Sequence, residues 1–300
     1  MGIIEPVKKG FKVTMGSMNL VAVLFVFGAV FNLINLFFTA NAQLENPDVR
    51  TSAVTIVVGL VFVLLSIFVQ AGSMGYVRDK IKAGQASLAS FTSAGGKYYL
   101  RLLLIGLLVV LVILAFVLAG ALVIAVFGTA LSAVGIGIAI ILAAVGIYVL
   151  MLMFLAPYLI VGEDTVEKVT LLSFVLIFFL WWLLLIVYIF SNRFRQTSSG
   201  RQIQHVFVSI KKSVSLVRKN LLSVLGIMVV LIAIGFAVGL VLGIVLALLS
   251  AVVKGTASQV IFGIVSSFVN AYLGVLVTSS FMHFYFNVAG NTANTSGAKS

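Results

Sequence analysis

Apolar runs about as long as a bilayer is thick recur along the chain, separated by short stretches rich in lysine and arginine. They occupy approximately Asn19 to Ala40, Ala53 to Met74, Leu102 to Phe127, Ala133 to Val161, Val169 to Phe190, Leu221 to Val252 and Val260 to Val288. A hydrocarbon core of roughly 30 Å takes about 20 apolar residues per helix, so each run predicts a membrane helix. Gly128-Thr129-Ala130 reads as the tight turn between two of them. The first run ends in Ala40-Asn41-Ala42, the pattern of a signal-peptide cleavage site. Its length and the spans that follow favour a retained transmembrane helix over a cleaved leader.

The polar stretches have a helical pattern of their own. Ile203, Val206, Phe207, Ile210, Val214, Val217 and Leu221 recur at helical spacing, while Lys211, Lys212, Ser215, Arg218 and Lys219 take the other face. At the N-terminus, Ile4, Val7, Phe11, Met15 and Met18 oppose Lys8, Lys9 and Lys12. A looser copy carries Val77, Ile81, Leu88 and Phe91 and is interrupted by glycines. Such helices lie in the membrane interface. The expected architecture is therefore all-α and integral to the membrane, with a six-helix core of three transmembrane hairpins, each preceded by an amphipathic interfacial helix. The run from Val169 to Phe190 does not fit this scheme and reads as one inserted membrane helix, within an insertion of approximately 168–208. The membrane domain spans 1–290, and 291–300 reads as a disordered tail.

Charge orients the scheme. Residues 1–18, 75–101 and 191–220 hold three, five and seven basic residues, 15 of the 19 in the chain. By the positive-inside rule they belong in the cytoplasm, with the N-terminus. The first loop, with Arg50 against Glu45 and Asp48, faces out. Lys8, Lys9, Lys12, Lys211, Lys212, Arg218 and Lys219 are the candidate contacts to anionic lipid headgroups. A net charge of +12 with 62% hydrophobic residues therefore reads as membrane topology rather than nucleic-acid binding.

The chemistry is sparse. The absence of cysteine excludes disulfides and thiolate sites. The sequence contains no metalloprotease, P-loop, nucleophile-elbow or dinucleotide-binding motif, and no cofactor is expected. His205 belongs to the polar part of its interfacial helix. Ser279, His283 and Asn287 recur every four residues on the last span, a candidate polar pathway or a set of interhelical hydrogen bonds. Asn32, Asn35 and Gln70 read as amides joining helices. Glu163, Asp164 and Glu167 form an acidic cluster, read as a solvated loop rather than a metal site. Gly235, Gly239 and Gly243, extended by Ala247 and Ala251, form a double G-x-x-x-G, where another helix of this chain or a second subunit approaches closely.

Ala156-Pro157-Tyr158-Leu159-Ile160-Val161 with Glu163-Asp164, and Ser209-Ile210-Lys211-Lys212-Ser213-Val214 through Asn220, resemble a superfamily of prokaryotic membrane proteins. It includes uncharacterised archaeal proteins and the membrane domain attached to some glycerophosphoryl diester phosphodiesterases. Glu5-Pro6-Val7-Lys8-Lys9-Gly10-Phe11 is similar to the archaeal members. The resemblance implies six spans and no established activity. About 40 residues separate the two motifs here, where that family has almost none. The functional expectation is a non-enzymatic scaffold or assembly factor of a prokaryotic cytoplasmic membrane, meeting anionic lipid and partner membrane proteins or a second copy. The alternative is a permease-like component for a small or apolar solute.

Overall fold

The structure is a computed structural model that describes residues 2–42, 49–127, 132–163, 198–253 and 255–297. All regular structure among them is helical: α1 (Ile4–Met15), α2 (Met18–Ala42), α3 (Val49–Ala83), α4 (Leu88–Phe127), α5 (Ser132–Met153), α6 (Ala156–Glu163), α7 (Ser198–Lys219), α8 (Leu221–Val252) and α9 (Thr256–Gly297). Six segments are long and apolar enough to cross a membrane: Met18–Phe37, Val54–Ala83, Leu88–Ala125, Val134–Glu163, Leu221–Leu249 and Ala257–Ala289. The protein is thus an all-helical, multi-pass membrane protein. The run Val169 to Phe190, the turn at Gly128, and Asp164 and Glu167 lie outside the described residues.

Two links are set by glycines in the left-handed region, which a side chain would strain. Gly84, at φ 73°, ends α3. Ser87 and Ser90 then cap α4 reciprocally, each backbone N–H donating to the other's hydroxyl at 3.3 Å. The amphipathic stretch expected around Val77 to Phe91 is therefore no separate helix. It divides between the end of α3 and the start of α4. Gly255, at φ 77°, precedes α9. That helix runs on to Gly297, through most of the stretch read as a tail, because extending a formed helix needs no new nucleation. Likewise α7 starts at Ser198, ten residues before the expected end of the insertion.

The chain forms two compact units, Met1–Gly96 with Leu222–Ser300, and Lys97–Leu221. In the first, α2, α3, α8 and α9 run alternately up and down, and α1 lies across one end of them. Ile3 meets Gly226 near the start of α8, Gly10 meets Ser280 late in α9, and the aliphatic stem of Lys80 lies beside Gly16. The core sits at this end, which we call the basic end: Leu20, Val21, Met74, Val77, Val224, Ile227, Leu276, Phe281, Met282 and Phe284 are buried. The other end exposes Phe37, Ile56, Leu60, Phe236, Leu248 and Phe262. A surface that apolar needs lipid around it.

Close helix crossings are made by small residues. A methyl group added at Gly75 would overlap Ala94 Cβ, one at Gly72 would meet the Phe91 carbonyl, and one at Gly95 the Phe68 ring. These crossings clamp the end of α3 to the start of α4. Gly28 faces Ser267 where α2 crosses α9. By contrast, a Cβ added at Gly235, Gly239 or Gly243 would meet nothing within 4 Å among the described residues. Among the described residues no side chain approaches the glycine repeat, and the buried face of α8 is confined to Val224, Ile227 and Leu231 in its first three turns.

In the second unit the buried apolar residues again gather at one level, with Tyr98, Leu102 and Ile105 of α4, Met153 of α5, Tyr158 to Val161 of α6, and Val206 and Val217 of α7. Pro157 falls in the first turn of α6, where its missing N–H costs no helical bond. The break before it leaves the last carbonyls of α5 without helical donors. Ser213, buried on α7, donates its hydroxyl to the Leu152 carbonyl at 2.7 Å. Ser213→Ala should lower stability by about 1 kcal/mol, the net worth of a part-buried hydrogen bond, measured as a shift in thermal unfolding in detergent. An unchanged midpoint would show that this cap contributes nothing.

Candidate functional site

Three sectors run along α1. Pro6, Val7, Gly10 and Thr14 are buried, and Gly10 is where α1 touches α9. Next around the helix comes an apolar edge that packs on little: Ile4 is 72% exposed and Met15 64%, with Phe11 partly covered between them. Beyond the edge stand Lys8, Lys9 and Lys12, all exposed. The apolar residues predicted to form one face are thus split, with Val7 inside and Ile4 and Met15 outside. The α1 backbone approaches α9 so closely that only small side chains fit between them.

The same order repeats on α7. Val206, Ser213 and Val217 are buried, Ile210 and Val214 are partly covered, and Lys211, Lys212, Ser215, Arg218 and Lys219 are exposed. In both helices the small residue directly after the Lys-Lys pair, Gly10 or Ser213, is buried at a helix crossing. His205 is on α7, but its side chain lies outside the described residues.

Two of the seven expected headgroup contacts already have counter-ions. Lys9 pairs with Glu5 at 2.8 Å along α1, and Lys212 reaches both Glu163 oxygens at 3.0 Å, joining α7 to α6. Such exposed pairs contribute little to stability, because solvent screens them. Lys8, Lys12, Lys211, Arg218 and Lys219 make no ion pair among the described residues. Glu163 is thereby the anion of an ion pair, and no group of metal-binding side chains occurs among the described residues.

The Lys9 ammonium holds the Glu5 carboxyl below its usual range, chiefly through their hydrogen bond. A depressed carboxylate pKa stabilises the fold above the unfolded value, and the contribution disappears as pH falls through the folded one. Lys9→Gln should therefore raise the Glu5 titration midpoint, read by carboxyl NMR. An unmoved midpoint would dissociate the pair.

Comparison with protein-family models, curated proteins and solved structures finds no match. The reading of this protein therefore rests on its own geometry.

Ser279 is fully buried and His283 and Asn287 are partly so, all near the crossing of α1 and α9. Ser279 Oγ, His283 Nε2 and Ser17 Oγ are buried without a hydrogen-bond partner among the described residues. The stripe is short. The next turn of α9 toward the other end is filled by Val275 and Leu276, both fully buried.

A second polar group lies farther along the bundle. Asn32 on α2 donates to the Gly263 carbonyl at 3.2 Å and to Ser267 Oγ at 2.7 Å, joining α2 to α9 as an interhelical amide should. Asn35, one turn on, is exposed. Arg101, at the end of the second basic stretch, is 4% exposed within α4. Its place at the polar start of a helix far longer than a bilayer hid that burial in the sequence.

Proposed function

We propose that this protein is a non-enzymatic scaffold or assembly factor of a prokaryotic cytoplasmic membrane, which gathers anionic lipid and partner membrane proteins at its basic end. The observation that carries the proposal is the edge of α1, where Lys8 and Lys12, which make no ion pair among the described residues, stand beside exposed Ile4 and Met15. A helix with an unburied apolar edge next to exposed cations suits the headgroup boundary, apolar side in the acyl chains and ammonium groups among the phosphates. On this reading α1 and α7 are interfacial helices feeding hairpins, and the six-span scheme agrees with what the family resemblance implies.

We place the basic end, with the N-terminus, in the cytoplasm by the excess of lysine and arginine. Lys219 precedes the first residue of α8 by only two positions, and α8 starts at the end where α1 lies. A reporter fused at Gly200 should accordingly be active only in its cytoplasmic form. Activity of a periplasmic reporter there would overturn the topology.

The function itself is tested by purifying the full chain into nanodiscs of mixed neutral and anionic lipid and measuring the lipid retained. Enrichment of anionic lipid that is lost when Lys8, Lys12, Lys211, Arg218 and Lys219 become Gln is expected. Equal retention of neutral lipid by the native chain would refute the proposal.

A further inference from the structure

At the end of the first unit away from α1, a crevice of about 680 Å³ opens among α2, α8 and α9. Its walls carry Asn32 and Asn35 from α2, Gly243 from α8, and Gln259, Gly263 and Ser266 from α9. None of the described residues lining it is charged. Asn32 spends both of its amide N–H bonds on Gly263 and Ser267, which fixes the side chain and leaves its oxygen as an acceptor. Asn35 and Gln259 are exposed and stand on different helices, and neither has a hydrogen-bond partner among the described residues. Two further carboxamides therefore offer donors and acceptors to the same space.

Depth identifies the occupant. At 1.5 Å per residue, Asn35 lies about 25 Å from the start of α2 and Gln259 about 5 Å from the start of α9, so both fall near the far boundary of a core roughly 30 Å thick. Carboxamides at that boundary stand at the level of lipid head groups, not of acyl chains. Gly243 supplies no side chain to close the space, and a Cβ there would meet nothing within 4 Å.

We propose that this crevice binds the neutral, hydroxyl-rich head group of an amphiphile, such as a glycosyl lipid, seated in the leaflet at the end opposite α1. The volume lies within the range of small-molecule sites. Amides pair with hydroxyls in both directions, whereas a phosphate would find no cation among the described residues that line the crevice. The chain of the amphiphile would run along the apolar surface of the helices, which a free sugar could not use. The inference does not depend on which end faces the cytoplasm or on lipid binding by the lysines.

The test uses the full chain in phosphatidylcholine nanodiscs with a diazirine-bearing monoglucosyl diacylglycerol as the probe. Saturable labelling of α2 and α9 is expected, competed by the unlabelled glycolipid and not by methyl glucoside. Asn35→Leu with Gln259→Leu should lower labelling about tenfold, corresponding to one or two lost hydrogen bonds. Gly243→Leu, which fills the crevice and removes no polar group, should lower it similarly. Unfolding midpoints serve as the control, since Asn35, Gln259 and Gly243 are all exposed. Labelling that persists in both variants, that methyl glucoside competes, or that a phosphatidylcholine probe matches would overturn the assignment.

Discussion

Gly10→Leu is expected to undock α1 from α9 and to abolish a cooperative unfolding transition, while Gly239→Leu leaves the midpoint nearly unchanged. A side chain at Gly10 would overlap the Ser280 hydroxyl and come within 3.1 Å of the Ser280 backbone, which belongs to a continuous helix and cannot move aside. Overpacking of this kind costs roughly 1 to 3 kcal/mol where neighbours can adjust, and the cost is larger against backbone. The contacts of Val7 and Thr14 would be lost with it. At Gly239 the added side chain enters open space, so the change should stay within about 0.5 kcal/mol. Thermal unfolding of both variants in detergent decides the matter. Equal destabilisation would mean that the glycine repeat holds the bundle as much as the contact of α1 with α9 does.

Neutralising Lys8, Lys12, Lys211, Arg218 and Lys219 together should produce the largest functional loss. At about 1 kcal/mol per cation near an anionic surface, five of them amount to about 5 kcal/mol, between 10³-fold and 10⁴-fold in affinity at low ionic strength. Salt should erode the native enrichment steeply, since the screening length falls to about 10 Å at 0.1 M. Truncating Ile4 and Met15 to Ala should lower enrichment without changing its salt slope, because those side chains contribute apolar area and no charge. Enrichment that is insensitive to salt in the native chain would show that the cations do not carry it.

Membrane helices were readable from the run lengths alone, because every backbone group within lipid must be satisfied inside its own helix. The amphipathic patterns around Lys8 and Lys211 likewise marked real helices. Their faces were only half legible. Periodicity places Ile4, Val7, Phe11 and Met15 on one side, but whether a side meets protein or lipid depends on what lies against it, and both environments select apolar residues. The same ambiguity attends the glycine repeat. G-x-x-x-G records that a helix could approach, and Gly75 with Ala94 shows that a less regular pair makes the closer crossing. The crevice had even less signal, since Asn35 and Gln259 are separated by most of the chain and meet only through the packing of α2 on α9.

What the sequence by itself determined is the membrane class, the helical content and the segregation of positive charge, because hydropathy and charge act residue by residue and need no partner. The tertiary structure alone decided that the core lies at the basic end, that Gly10 and Ser213 are the small residues on which α1 and α7 dock, and that Lys9 and Lys212 pair with Glu5 and Glu163. It also decided that polar groups from distant parts of the chain line one crevice. Those are properties of juxtaposition, set by close packing between helices, which no local pattern encodes.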